Sequence, residues 1–75
     1  MYKYKKEIMK ELSNVGWNRP KLRKEKILSE ATMQKILHNE SVTLETLNII
    51  CLLLRCQLSD IIEIIPTDEE KIKFF

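Results

Sequence analysis

The chain has 75 residues, a formal net charge of +2 and a hydrophobic content of 44%. A chain of this length forms one small domain, near the lower size limit for an independent hydrophobic core. It has no run of about 18 apolar residues and no N-terminal signal-peptide pattern, which excludes a membrane-spanning segment and favours a cytoplasmic protein.

The positive charge is concentrated in the first third of the chain. Residues 1–26 carry nine Lys or Arg and three Glu, whereas residues 27–75 carry four basic and eight acidic residues. Such a separation indicates that one end of the domain faces a polyanion. Lysine-rich helices also occur where a helix face is simply solvated, and charge alone does not decide between these explanations.

The composition predicts an all-α domain. One Gly and two Pro leave few turn residues for β-hairpins, whereas Leu, Ile, Lys and Glu are abundant. A first helix is predicted over residues 3–14. Its inward-facing residues recur at helical spacing and are Tyr4, Ile8, Met9 and Leu12. Gly16 ends this helix, and Trp17 is expected to fill the core beneath the turn.

Two short helices joined by a tight turn are predicted between Asn18 and Asn39. Asn18 caps the second helix, which begins at position 19 or 20 with a Pro in its first turn and continues to position 26. Ser29 caps the third helix, over residues 30–38. The apolar residues that face inward from this pair are Leu22, Leu28, Met33, Ile36 and Leu37. The arrangement is typical of a DNA-binding unit.

A fourth helix is predicted over residues 44–55, with Thr43 as its cap. Its inner stripe consists of Leu44, Leu47, Ile50, Cys51 and Leu54. The outer face is also apolar, as expected of a helix that is buried on more than one side. We therefore expect a homodimer, whose surface combines this outer face with two aromatic residues of the tail. The surface consists of Ile49, Leu52, Leu53, Phe74 and Phe75.

The end of the chain carries a short fifth helix and a tail. The fifth helix is predicted over residues 59–64 and is stopped by Pro66, which closes a DNA-binding domain over residues 1–66. Its inward-facing residues are Leu58, Ile61, Ile62 and Ile65. In the tail, residues 67–75, the TDEE segment has the spacing of a capping box and predicts one more helical turn. The apolar end of the tail is expected to dock on the core or on a partner.

The sequence provides no catalytic or metal-binding constellation. Cys51 and Cys56 belong to an apolar segment, and His38, the only histidine, lies in another element. A zinc site needs about four ligands, so both cysteines are interpreted as small core residues. Without a nucleophile paired with a base, or a glycine-rich phosphate loop, we expect no enzymatic activity, no cofactor and no small-molecule ligand.

Residues in the helix pair and beyond it form one continuous pattern. Four core positions of the pair are occupied without a gap, by Leu22, Leu28, Met33 and Ile36. The pattern continues over residues 41–47 and then in a later group. That group consists of Cys51, Cys56, Gln57, Asp60 and Ile61. With these residues the chain resembles the Cro and phage-repressor (XRE-like) type of helix-turn-helix domain over about residues 4–66.

Five positions depart from the resemblance. Arg23 stands where many members have Ala, and Ile27 stands where the turn commonly has Gly. Without Gly we expect a turn that is a residue longer or less tight. Ile49 and Leu52 occupy positions that are usually polar, and Leu58 replaces a usual Pro. These last departures favour an apolar partner surface.

The resemblance implies a compact five-helix, lambda-repressor-like domain whose helix-turn-helix is formed by helices 2 and 3. The third helix is then expected to lie in the major groove of double-stranded DNA. The residues implied to face bases are Ser29, Glu30, Ala31 and Lys35. Those implied to contact phosphates are Asn18, Arg19, His38 and Asn39.

The chemistry of the side chains adds residues to both groups, those expected to face bases and those expected to contact phosphates. Lys35 can donate to guanine O6 and N7, and Gln34 can pair with adenine. Glu30 can accept from cytosine N4 or can act as a first-turn helix charge, whereas Ala31 permits close approach or contact with a thymine methyl. The basic residues best interpreted as phosphate contacts are Lys21, Arg23, Lys24 and Lys26.

Two functions are compatible with these features. The first is a sequence-specific transcriptional repressor that binds a palindromic site as a symmetric dimer, with half-sites about one DNA turn apart. The alternative is a helical protein-interaction module, such as an antirepressor, an antitoxin-like partner or an inhibitor. Its support is Glu30 on the base-facing side, the missing turn Gly, and the apolar Ile49, Leu52 and tail.

Overall fold

The computed structural model describes all 75 residues and contains six helices and one two-stranded sheet. The elements in chain order are β1 (Tyr2–Tyr4), α1 (Ile8–Asn14), α2 (Arg19–Lys24), α3 (Glu30–Leu37), α4 (Leu44–Leu54), α5 (Leu58–Ile61), β2 (Ile62–Ile64) and α6 (Asp68–Phe74). None of the helices has the length and hydropathy needed to cross a membrane.

The sheet corrects the all-α prediction at both ends of the domain. β1 and β2 run antiparallel, with Tyr2 opposite Ile64 and Tyr4 opposite Ile62. The first helix therefore begins at Ile8 instead of residue 3, and the predicted fifth helix is reduced to the single turn of α5. Tyr alternates with Lys in β1, and Ile alternates with Glu in β2, which suits a pleated strand. Each strand provides hydrogen-bond partners for the backbone groups of the other.

The core consists of ten buried side chains, all apolar or aromatic, from every element except β2 and α6. They are Tyr4, Ile8, Leu12, Leu22, Leu28, Met33, Ile36, Leu47, Ile50 and Ile61. Around them pack half-buried residues that include Trp17, Ile27, Cys51 and Cys56. The expected position of Trp17 against the core is confirmed, and the Lys21 ammonium lies 4.3 Å from the centre of its ring.

Four residues that were predicted to face inward are exposed. Leu37 lies in the last turn of α3 and Leu44 in the first turn of α4, where Leu44 is 72% exposed. Leu58 and Ile65 are also exposed. Helical spacing continues along a whole helix, but only the middle turns of α3 and α4 lie over the core. Apolar residues at the helix ends therefore remain uncovered.

The first four helices end with the same hydrogen-bond pattern. A residue one or two positions past the end of each helix has a positive φ, and the N–H of the residue after it donates to a carbonyl five residues back. The residues with positive φ are Gly16 (92°), Lys26 (56°), Asn39 (57°) and Arg55 (54°). The predicted role of Gly16 in ending α1 is confirmed. The other three helices use Lys26, Asn39 and Arg55, and this conformation is strained for Lys and Arg, whereas Asn tolerates it.

Candidate nucleic-acid interface

Side-chain caps fix the starts of α2 and α3. The Asn18 Oδ1 atom accepts a hydrogen bond from the N–H of Lys21 at 3.0 Å, and the Ser29 Oγ atom accepts one from the N–H of Thr32 at 3.1 Å. Both predicted caps are confirmed. The two helices therefore begin at Arg19 and Glu30, which places the first turn of α3 at a defined position relative to α2.

The turn between α2 and α3 is closed without glycine. Lys26 takes the left-handed conformation, and the N–H of Ile27 donates to the carbonyl of Leu22 at 2.9 Å. The Ile27 side chain is half-buried against the core, and Leu28 is buried. An apolar residue at position 27 thus anchors the turn, while the backbone requirement for which Gly was expected is met by Lys26.

An ion-pair cluster connects the two helices. The Arg19 guanidinium donates to the carboxylate of Glu30, and Arg23 Nη1 lies 3.3 Å from Glu30 Oε2. Desolvation raises the pKa of Glu30, but the hydrogen bond and charge of Arg19, with contributions from Gln34 and Arg23, outweigh it and lower this pKa below its ordinary value. Three residues that were predicted to contact DNA therefore interact within the protein, since Arg19 and Arg23 both bind Glu30.

The exposed face of α3 is polar and lies opposite its buried side. Ala31, Gln34 and Lys35 are exposed, as is His38 just past the helix. Positions 31, 34, 35 and 38 have the spacing of one helix face, while Met33 and Ile36 are buried. One small side chain and three hydrogen-bonding side chains thus share a surface that protein does not cover.

Exposed basic residues flank this face on α2 and its C-terminal end. Lys21, Lys24 and Lys26 are all exposed, and none of them forms an ion pair. The Asn39 side chain is exposed beyond α3, next to His38. Lys24 and Lys26 have no ion pair to give up when they neutralise phosphates, unlike Arg19 and Arg23, whereas the Lys21 ammonium also lies over the Trp17 ring.

Four lysines of the N-terminal segment were assigned to no site from the sequence. Lys3, Lys5, Lys6 and Lys10 line a groove of about 900 Å³ that reaches Leu37 and Asn39 at the end of α3. The sequence shows that these lysines contribute to the positive charge of residues 1–26. The predicted helix over residues 3–14, however, does not place them around a groove. The alternation of Tyr and Lys from Tyr2 to Lys5 was the signal for a strand that could have placed them.

The predicted dimer surface is only partly exposed. Ile49 and Leu53 are half-buried and pack against the core, whereas Leu52 is 68% exposed. Leu52 lines a second groove, of about 370 Å³, together with Leu44 and Leu58. Phe74 and Phe75 are exposed on and after α6. No group of three or more His, Cys, Asp or Glu side chains is placed to hold a metal ion.

Comparison with known families accounts for this helix pair. The family model of the Cro/C1-type HTH DNA-binding domain matches residues 4–67 of the chain. The chain therefore belongs to this family. No curated protein and no solved structure matches the chain. The family has a lambda-repressor-like fold and is non-enzymatic. The α2–turn–α3 unit is therefore the helix-turn-helix of a DNA-binding domain.

Proposed function

We propose that the protein is a cytoplasmic transcriptional repressor that inserts α3 into the major groove of a specific operator. The observation that carries this proposal is the exposed polar face of α3 beside unpaired lysines of α2. A helix of this kind presents side chains to base edges, while the flanking lysines neutralise the phosphates on either side.

The individual contacts differ in how free the side chains are. Lys35 and Ala31 have no internal partner and are suited to guanine and to a thymine methyl. Gln34 is exposed and is suited to adenine, although it also interacts with Glu30. The Ser29 hydroxyl already caps α3 by accepting a hydrogen bond from the N–H of Thr32. We therefore assign base contacts first to Lys35, Ala31 and Gln34, and a positioning role to Glu30.

The phosphate contacts divide in the same way. Lys24 and Lys26 are free to approach the DNA backbone, and His38 and Asn39 are exposed at the far end of α3. Arg19 is shared with Glu30, so its contact with a phosphate competes with the ion pair. These contacts set affinity and its dependence on salt but carry no sequence information.

The proposal is tested with DNA from the promoter region of the protein's own gene. Fluorescence anisotropy should show salt-dependent binding to one site, at least about a thousandfold tighter than to a scrambled sequence. Transcription from that promoter should fall when the protein is added. Binding that is absent at low salt, or equal on all sequences, contradicts the proposal, and increased transcription contradicts the repressor role.

A homodimer on a palindromic site forms part of the proposal. Its support is the exposed apolar surface on α4 and α6, which includes Leu52 and Phe74. Two copies related by a twofold axis would place their α3 helices about one DNA turn apart. Footprinting should then show two half-sites with that spacing, whereas a single protected half-site contradicts the dimer.

The alternative function is a protein-interaction module. The observation that favours it is the apolar groove formed with Leu44, Leu52 and Leu58. The other two supports are weaker than the sequence suggested, because Glu30 has an ion-pair partner and Lys26 closes the turn without Gly. Co-purification of one stoichiometric protein, with no salt-dependent DNA binding, distinguishes this alternative from the repressor.

A further inference from the structure

The C-terminal helix α6 is formed but nothing covers it. Its predicted capping box is confirmed, since the Thr67 Oγ1 atom accepts from the N–H of Glu70 and the Glu70 carboxylate accepts from the N–H of Thr67. None of its residues is buried, and Ile72, Phe74 and Phe75 are 84%, 72% and 87% exposed. A helix of seven residues has little stability without packing, so α6 needs an apolar surface to lie on.

The groove beside β1 offers such a surface. We call the apolar part of its lining the floor, which includes Tyr2, Met9, Leu37 and Ile65. We call the basic part of its lining the rim, which consists of Lys3, Lys5, Lys6 and Lys10, and the only acidic lining residue is Glu7. None of these lysines forms an ion pair, although Lys5 donates to the carbonyl of Ser59 at 3.0 Å. The groove therefore combines an apolar floor with an unneutralised positive rim.

The charges and apolar residues of α6 complement this groove. Asp68 and Glu69, in its first turn, form no ion pair, and its apolar residues follow within the same helix. A DNA backbone would neutralise the lysines but would leave the apolar floor in water. A helix with an acidic first turn and apolar residues satisfies both features of the groove at once, and the two lysines of α6, Lys71 and Lys73, lie in its last turn.

The groove is not filled by α6 of the same molecule. Thr67 lines the end of the groove and the Glu70 carboxylate accepts a hydrogen bond from the Met1 N-terminus at 2.6 Å, but α6 makes no other ion pair there and none of its side chains is buried. The molecule extends 45 Å along its longest axis and 23 and 19 Å along the others, as expected for a projecting helix. A second copy of the chain presents the same helix and the same groove.

We propose that α6 of one molecule lies in the lysine-rimmed groove of a second copy, and that the exchange is reciprocal. The inference deepens the homodimer proposed above by naming its interface. A twofold interface requires each copy to supply both complementary surfaces, which this chain does. Because the groove reaches Leu37 and Asn39 at the end of α3, the exchanged helices would fix the spacing of the two α3 helices.

The first test is the oligomeric state of the full chain without DNA. Sedimentation at high micromolar concentration should show a dimer, and Phe74→Asp should weaken it at least about tenfold, as loss of an apolar anchor does. Val15→Asp is the matched control, because Val15 is also an exposed apolar residue but lies outside the groove, α4 and α6. A dimer that survives Phe74→Asp and is broken by Leu52→Asp overturns the proposal, as does a monomeric wild type.

The second test exchanges the charges. One variant carries Lys6→Glu and Lys10→Glu in the groove, and the other carries Asp68→Lys and Glu69→Lys on α6. Each variant alone should be monomeric, because groove and helix then have the same charge, and an equimolar mixture should form a heterodimer. Circular dichroism confirms that each variant is folded. Failure of the mixture to associate, with both variants folded, overturns the proposal.

DNA binding separates this inference from the proposed function. The groove variant should bind a single half-site within about twofold of wild type, since the α2 and α3 surface is unchanged. If Lys6→Glu with Lys10→Glu weakens binding to every sequence and leaves the dimer intact, the groove contacts DNA and the helix exchange is wrong. If no form binds DNA but the charge exchange restores dimers, the repressor fails and the exchange stands.

Discussion

Arg19, at the start of α2, donates a hydrogen bond to the carboxylate of Glu30, at the start of α3. Each residue follows the cap of its helix, so the interaction joins the first turns of the helix-turn-helix pair. It also explains an acidic residue on the face proposed to approach DNA, because the Glu30 charge is balanced by Arg19 and Arg23 within the protein. A positioning role for Glu30 is the simplest consequence.

The ion pair predicts a pH-dependent effect of Glu30→Gln. The folded-state pKa of Glu30 is lowered, so its contribution to stability is present above the unfolded-state pKa and is lost as the pH falls through the folded-state value. The variant should therefore melt at a lower temperature than wild type near about pH 7, with the difference vanishing as the pH falls through the lowered pKa of Glu30. Glu40→Gln, which removes no ion pair, is the control. A pH-independent difference in melting temperature contradicts this explanation.

The cap of α3 predicts separate effects of two substitutions at Ser29. Ser29→Ala leaves the N–H of Thr32 without its partner and should lower the free energy of unfolding by about 1 kcal/mol. Ser29→Asp keeps a capping oxygen and should retain wild-type stability, but its charge should weaken DNA binding. Urea denaturation and anisotropy measure the two effects. Equal stability of Ser29→Ala and wild type would show that the cap is absent in solution.

The left-handed residue after α4 predicts a stabilising substitution. Arg55 has φ of 54°, a conformation that costs an L-residue about 1 to 2 kcal/mol, whereas Gly loses about 0.5 to 1 kcal/mol through its greater freedom when unfolded. Arg55→Gly should therefore raise the free energy of unfolding by about 0.5 to 1 kcal/mol. Asn39→Gly should raise it less, because Asn tolerates this conformation. Asn48→Gly inside α4 should destabilise, and a loss of stability in Arg55→Gly contradicts the assigned conformation.

Two lysines are expected to affect DNA binding differently. Lys35→Ala removes a proposed base contact and should cost about 1 to 3 kcal/mol at the operator while relaxing the preference at one base pair. Lys24→Ala removes a proposed phosphate contact, so it should weaken all sequences alike and reduce the salt slope by about one. Anisotropy on an operator and its single-base variants measures both. If Lys35→Ala weakens all sequences equally, Lys35 contacts only the backbone.

Burial of Cys51 predicts slow alkylation in the folded protein. Burial first, and then Cys56 and Asp60, raise the pKa of the Cys51 thiol above its ordinary value. Since the thiolate is the reactive form, iodoacetamide near about pH 8 should modify Cys51 more slowly in the folded than in the urea-unfolded chain. Cleavage after Arg55 places Cys51 and Cys56 on different peptides, so mass spectrometry follows each alone. Equal rates in both states would contradict a partly buried thiol at Cys51.

The helices around the DNA-binding surface could be predicted because their signals are local. Asn18, Ser29 and Thr43 each cap a helix through a backbone group three residues away, and all three predictions are confirmed. The turn was less predictable, since the left-handed residue is Lys26 and nothing in a lysine indicates this conformation. Its position follows from burial of Leu22 and Leu28 on either side of the turn, which is a property of the packed pair.

The sheet could not be predicted in the same way because its partners are far apart in sequence. Tyr4 fits a helical stripe with Ile8 as well as it fits a strand, and only pairing with Ile62 decides between them. Likewise, the ion pair of Arg19 with Glu30 depends on the angle between two helices. The polar face of α3 follows from residue spacing alone. The internal partners of its side chains depend on how α2 packs against α3, which the spacing does not give.

Pairing of β1 with β2 has a consequence for the synthesis of the protein. Tyr2 is translated before α1 to α4, and its partner Ile64 only after them. The helices can assemble through contacts that are short in sequence, whereas the sheet requires a long-range closure, which is slow. β1 therefore has no strand partner until β2 has been translated, and the sheet forms after the helices that separate its two strands.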